Sequence, residues 1–165
     1  MSQPVAGIHL HCPRCDRDAF VIVPENAAPA ASGVQCPRCG FLFPGSTSEI
    51  DPSRPLLRCA VCAGQEFYVQ KDFNRSFGLA VVAVTAVAAF VVMVLAGHLW
   101  GFLVLGAITL ADLVVYRFLP EVEVCYLCQS VYRGFPLAPE HRGFYLGNEE
   151  RYKALRRAWL EGLSR

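Results

Sequence analysis

Residues 59–128 read CAVCAGQEFYVQKDFNRSFGLAVVAVTAVAAFVVMVLAGHLWGFLVLGAITLADLVVYRFLPEVEVCYLC. The stretch opens on one CxxC unit, Cys59 with Cys62, and closes on another, Cys125 with Cys128, with 62 residues between them. From Ser76 to Ala111 no side chain carries a fixed charge, and His98 alone is ionisable. Two CxxC turns can hold four thiolates about 2.3 Å from one metal ion in a tetrahedral shell. Glu66–Gln70 after the first unit and Glu121–Val124 before the second have strand composition, the latter with alternating polarity. They read as two halves of one metal-stapled hairpin whose turn has been replaced by the apolar segment.

Phe77–Gly97 and Leu99–Leu119 are each 21 residues long. As helix each would run about 31 Å, close to the hydrocarbon core of a bilayer at about 30 Å. Both are apolar on every side, which leaves no face for water, so a two-helix transmembrane hairpin over 77–119 is expected, turning at Gly97-His98. Arg58, Lys71 and Arg75 precede the first span, Arg117 and Arg133 follow the second, and the turn has no basic residue. Both termini are therefore expected on the cytoplasmic side, where thiols stay reduced. Met1–Leu10 lacks the basic and apolar regions of a secretory signal, so none is expected. An antiparallel helix pair brings the chain back to within about 10 Å of its entry, which would let a shared ion at Cys62 and Cys125 clamp the ends of the spans.

Asp112 lies inside the second span, where an acid costs about 2.5–3.5 kcal/mol at the centre and less towards the interface. Folding the pair about His98 sets Thr85 opposite it, with Thr109 one turn away, so a local polar cluster is one reading. An acid near the headgroups reaching towards Arg117 is the other. Ala107 and Ala111 allow close helix approach, within the pair or between copies in a homo-oligomer.

The remaining cysteines form a second set of pairs, Cys12 with Cys15 and Cys36 with Cys39, separated by 20 residues. Phe20–Val23 reads as a short strand, and Pro24–Ser32 has turn and linker composition. Disulfides would suit an oxidising compartment, and a redox CxxC normally needs one pair beside a βαβ unit. Neither explains four pairs with no cysteine left over. Residues 11–43, with the pattern CPxC, a strand, then VxCPxCGxxF ending at Phe43, resemble the short prokaryotic zinc-ribbon domain. That resemblance covers about a fifth of the chain and implies a structural metal, not an activity; the membrane expected for the spans is a prokaryotic cell membrane. Asp16 stands where many members carry Gly after the first knuckle.

The 165 residues are 54% hydrophobic and 18% charged, with a net charge of +1. No dense basic stripe is present, and Arg14 and Arg38 alone sit in the first-site knuckles, so nucleic acid is not an expected partner. Each polar piece is too short to rely on a hydrophobic core alone. The organisation expected is an N-terminal ribbon over 1–44, a linker over 45–57, a split ribbon over 58–76 and 120–134, and a tail over 135–165. In the tail, Asn148 before Glu149-Glu150 reads as an N-cap of a helix running to about Leu163. Tyr152, Leu155 and Trp159 share a face beside Arg156 and Arg157, so this amphipathic helix either lies on the anionic membrane surface or packs on the second ribbon.

Saturated four-cysteine sets leave no open metal position for catalysis. The expected function is a non-catalytic membrane-anchored zinc-ribbon protein with two zinc ions, facing a cytoplasmic protein partner. Alternatives are a rubredoxin-like iron electron-transfer site, since iron also accepts four thiolates, and a thiol oxidoreductase. His9, His98 and His141 have no motif context, and His11, next to Cys12, is at most a spare ligand or a neighbour of one.

Overall fold

The computed structural model describes residues 6–23, 33–46, 50–73 and 75–164. Residues 1–70 together with 121–165 form one compact unit, and residues 71–120 form another. The loop expected over Pro24–Ser32, and residues 47–49 of the expected linker, lie outside the described residues.

The first unit is built on a mixed sheet of six strands: β1 (Gly7–Cys12), β2 (Arg17–Ile22), β3 (Phe67–Lys71), β4 (Glu121–Cys125), β5 (Val131–Arg133) and β6 (Arg142–Gly143). Their spatial order is β2-β1-β5-β4-β3-β6. β1 runs antiparallel to both β2 and β5, β4 pairs antiparallel with β5, and β6 joins β3 in parallel. At one end of the β3–β4 pair Tyr126 N–H donates to the Glu66 carbonyl, and at the other Asp72 N–H donates to that of Pro120.

One sheet spans both expected ribbons. The two ribbons do not stand as separate domains, because β1 of the first is hydrogen-bonded to β5 of the second. Their apolar residues also merge: Ile8, Leu10, Ala19, Val34 and Phe43 from the first pack in one cluster with Val61, Phe67 and Tyr132 from the second and Phe135 from the tail. The expected linker is part of this packing. Leu56 is buried in the cluster, and Gly45 donates its N–H to the Val61 carbonyl with its backbone pressed against Ala60 so closely that no Cβ fits. At roughly 1.5–3 kcal/mol per fully buried apolar side chain, a shared core does what neither short ribbon could do alone.

β1 was not among the expected strands, although Ile8, Leu10 and Cys12 alternate inward while His9 and His11 point to the other face. β2 is the strand expected at Phe20–Val23, beginning three residues earlier and ending at Ile22.

The second unit holds α1 (Arg75–Ala96) and α2 (His98–Phe118), which pack against each other. Gly97 joins them with φ 96°, a left-handed conformation that glycine adopts without a steric penalty. Gly101 is buried at the contact, where a Cβ would come within 2.7 Å of the Met93 Cβ. At the foot of the pair, Lys71 Nζ donates to the Leu119 carbonyl at 3.2 Å, next to the Asp72–Pro120 backbone bond of 2.9 Å. Both helices are long and apolar enough to cross a membrane, and almost nothing of either is buried.

The C-terminal helix α3 spans Leu146–Ser164. It begins two residues before the expected cap: Asn148 and Glu149 donate their N–H groups to the Tyr145 carbonyl, so Asn148 is inside the first turn. Its packed face is also shifted. Tyr152, Arg156 and Trp159 are partly buried, whereas Leu155 is 50% exposed. Tyr152 stacks on Tyr126 at 5.7 Å and Trp159 packs on the main cluster, so the helix lies on the second ribbon.

Each of the four CxxC turns ends on a residue with positive φ: Asp16 at 52°, Gly40 at 71°, Ala63 at 59° and Gln129 at 60°. A non-glycine residue in this region costs roughly 1–2 kcal/mol, partly offset in glycine by about 0.5–1 kcal/mol of extra chain entropy. Ala63 is exposed, and its part in the knuckle is the backbone bond from its N–H to the Cys59 carbonyl, which glycine keeps. Ala63→Gly is therefore expected to stabilise the metal-loaded protein by about 0.5–1 kcal/mol, measured as a rise in denaturation midpoint with metal content unchanged.

Candidate metal centres

The four knuckles share one local design. In each, the N–H four residues after the first cysteine donates to that cysteine's carbonyl: Asp16 to Cys12 (2.9 Å), Gly40 to Cys36 (2.9 Å), Ala63 to Cys59 (2.8 Å) and Gln129 to Cys125 (3.0 Å). The first cysteine's own N–H reaches the carbonyl five residues on in three of them, Cys36 to Phe41, Cys59 to Gly64 and Cys125 to Ser130. In the fourth, Cys12 pairs with Arg17 across the β1–β2 hairpin. Each turn thus curls both cysteines of its pair to the same side.

These turns bring the sulfurs into two groups, Cys12, Cys15, Cys36 and Cys39 in one and Cys59, Cys62, Cys125 and Cys128 in the other, with all four atoms of each within 4.8 Å of one another. Sγ–Sγ distances are 3.7 Å for Cys12–Cys39 and 3.9 Å for Cys15–Cys36. In the second group they are 3.4 Å for Cys59–Cys128 and 3.6 Å for Cys62–Cys125. A tetrahedron with sulfurs about 2.3 Å from its centre has edges of about 3.8 Å, so both groups have the size of a closed metal shell. All eight are free thiols. The four-sulfur donor set suits zinc or iron.

The electrostatics ask for a cation. Burial would raise the Cys36 thiol, but the backbone N–H groups of Arg38 and Cys39 and the neighbouring thiols bring it down to about 7. Burial pushes Cys15 up to about 12, with Cys12, Cys39 and Cys36 adding to the shift. In the second group Cys59 lies well below the usual thiol range: burial opposes its ionisation, and hydrogen bonds from Cys125, Cys128, Cys62 and Tyr132 outweigh it. Cys128 is driven up, mainly by Cys125 and Cys59. Without a central charge only part of each set can ionise, since thiolates this close repel; a divalent ion lets all four shed their protons.

The second centre is embedded. Cys59 and Cys125 are fully buried, and the Tyr132 hydroxyl accepts the Ala60 N–H at 2.9 Å while lying 3.1 Å from Cys59 Sγ, which leaves its own proton for the thiolate. Ser130 Oγ is 3.2 Å from Cys128 Sγ. Gly64 faces the centre, and a Cβ there would stand 3.3 Å and 3.4 Å from the sulfurs of Cys62 and Cys125. Outside it, Arg156 of α3 donates to the carbonyls of Tyr126 (2.7 Å) and Leu127 (3.1 Å), both within the last knuckle, and its fork is held by the two Glu149 oxygens at 3.0 Å each. Tyr132, Ser130, Gly64 and Arg156 carried no sequence signal as site residues, because their role depends on which strand lies beside the knuckles.

The other candidate residues are placed apart from metal. His11 bridges Asp18 (3.0 Å) and Asp16 (3.1 Å) through its two ring nitrogens on the face opposite Cys12, and the Asp18 hydrogen bond chiefly raises its pKa. It is not a ligand. His141 Nδ1 lies 2.8 Å from Glu123 Oε1, which also accepts the Ala138 N–H, an arrangement that ties the chain before β6 to the sheet. Thr85 and Thr109 donate to the Val81 and Leu105 carbonyls of their own helices. Asp112 is exposed and makes no hydrogen bond or ion pair among the described residues, with Arg117 or with either threonine.

Tyr132→Phe keeps the ring between Phe67 and Phe135 but strips the hydroxyl from Cys59 and leaves the buried Ala60 N–H unpaired. Removing such a partner of a metal ligand typically costs 10–100-fold in affinity. Competition with a chromogenic chelator is expected to show about a tenfold or greater loss at the second centre, with the first unchanged.

Protein-family models, curated proteins and solved structures offer no match to this chain. Its function is therefore read from the two four-cysteine centres themselves.

Proposed function

We propose that this chain is a non-catalytic, membrane-anchored metal module: two structural zinc centres build a cytoplasmic platform for a protein partner, and the α1–α2 pair tethers it as a transmembrane hairpin. The observation that carries the reading is the closure of both clusters. Each offers four sulfurs at the spacing of a filled tetrahedron, whereas a catalytic zinc keeps a position open for water or substrate.

Support for the anchor comes from α1 and α2. Phe77, Val84, Phe90 and Leu95 on one, and Trp100, Phe102, Leu113 and Phe118 on the other, are more than half exposed. Soluble monomers rarely expose contiguous apolar patches beyond about 300–600 Å², and two helices apolar all round exceed that. The basic residues before α1 and after α2, and their absence at Gly97-His98, favour cytoplasmic ends. In this reading the second centre holds the strands rather than the spans directly. It gathers the knuckle before β3 and the knuckle after β4, and from Glu121, where the chain re-enters the sheet, to Cys125 is about 13 Å along β4.

Two measurements test the proposal. Elemental analysis of purified protein is expected to give two zinc per chain and a colourless solution; iron with visible absorption would replace the structural reading by electron transfer. Cys125→Ser is expected to drop zinc to one per chain and lower thermal stability in detergent, and wild-type values for both would refute a metal shell there. For the anchor, the chain should stay in the membrane pellet after alkaline carbonate extraction and be released by detergent. Release by carbonate alone would rule out the spans.

A further inference from the structure

The two centres differ in access. In the second, Cys59 and Cys125 are buried and Cys62 and Cys128 are partly covered. In the first, Cys12 and Cys36 are buried and Cys15 partly covered, but Cys39 belongs to an exposed residue in an exposed run from Pro37 to Gly40. The space beside it is open: a Cβ on Gly40 would meet nothing within 4 Å. In the second centre, by contrast, the hydroxyls of Tyr132 and Ser130 flank Cys59 and Cys128. The buried Cys12 sulfur lies 3.7 Å from that of Cys39. An electrophile small enough to be selective by exposure thus meets one ligand first, with a second thiolate already behind it.

From this we infer that Cys39 is a modification site, the entry point for peroxide oxidation that opens the first centre and leaves the second closed. The inference rests on the reading of both clusters as zinc sites. Its chemistry balances with hydrogen peroxide as oxidant. The Cys39 thiolate attacks one peroxide oxygen, the O–O bond breaks, and the departing hydroxide takes a proton to become water, leaving a sulfenic acid on Cys39. The Cys12 thiolate then attacks the Cys39 sulfur; the S–O bond breaks, an S–S bond forms, and hydroxide leaves as a second water on taking another proton. Two thiolates supply two electrons, one peroxide becomes two waters, and Cys15 with Cys36 no longer complete a four-sulfur shell. The segment carrying Val34 and Phe43 is then joined to β1 through the Cys12–Cys39 bond alone, while the β3–β4–β5 part keeps its four-sulfur centre.

The test uses the full chain in detergent, loaded with two zinc ions and titrated with hydrogen peroxide while a chromogenic chelator reports free zinc. One zinc is expected to leave at least tenfold faster than the other, and peptide mapping at that point should find a Cys12–Cys39 disulfide with the second set still reduced. Cys39→His keeps a zinc ligand but removes the oxidisable sulfur, and should slow the first release at least tenfold. Should that variant fail to load two zinc ions, brief alkylation of loaded wild-type protein gives the same answer, with Cys39 expected to label first. Simultaneous release of both ions, a first disulfide in the second set, or first labelling at another cysteine would each overturn the inference. Protein isolated with less than two zinc per chain would instead refute the zinc reading beneath it.

Discussion

The knuckle turn is the constraint on which the rest of the structure depends. A bond from the N–H four residues on to the carbonyl of the first cysteine curls Cys-x-x-Cys tightly enough that both sulfurs leave on one side. The following residue must then enter the left-handed region for the chain to leave in the opposite direction. In the two hairpin knuckles this reversal is also the β-turn: β1 enters Cys12 and β2 leaves at Arg17, and β4 enters Cys125 ahead of β5 at Val131. The metal-binding turn and the strand-pairing turn are the same residues. Any ion that gathers the sulfurs therefore fixes the register of the sheet, and any loss of register scatters the ligands.

Pairing the two ribbons through β1 and β5 solves a problem of size. A ribbon of about thirty residues buries too little apolar surface to offset its conformational entropy without a crosslink. Here the crosslinks come with a common core. Phe43 and Val34 of the first ribbon, Leu56 of the connecting segment and Val61 and Phe67 of the second are all nearly inaccessible. Buried polar groups are mostly matched as well. Glu123 accepts both the Ala138 N–H and the His141 ring N–H at 2.8 Å, although its second oxygen, Oε2, has no partner among the described residues. Glu123 through Oε1, and Arg156 through the Tyr126 and Leu127 carbonyls, hold the two ends of the C-terminal segment, one before β6 and one on α3.

The metal ligands were legible in the sequence because thiolate chemistry belongs to residue type and spacing, and both groupings of Cys12 through Cys128 are the ones the structure brings together. The two apolar helices were legible from composition, and their break falls at Gly97. The union of the ribbons was not, since β5 is only Val131–Arg133 and β6 only Arg142–Gly143, too short for any alternation to register. Tyr132 was invisible for the same reason. On α3, a hydropathy argument places Leu155 on the packed face, but the structure chooses Arg156. The surface opposite presents the bare carbonyls of Tyr126 and Leu127, and a guanidinium satisfies those where a leucine could not. Apolarity of a helix face reports what it can bury, not what its partner lacks.

The place of the insertion follows from the same geometry. In a ribbon, one end of each hairpin carries the knuckle and the other is an ordinary turn. In the order of the chain the apolar helices fall at that second position, between β3 and β4. Closing a flexible loop of 62 residues costs only about 1 kcal/mol more than closing one of 20, because closure entropy grows with the logarithm of length. Even that difference overstates the cost here. α1 and α2 pack against each other, and the segments that lead into the first and out of the second meet where Asp72 N–H donates to the Pro120 carbonyl at 2.9 Å. With the two chain segments already held together there, less closure entropy is left for the four sulfurs of the second centre to offset.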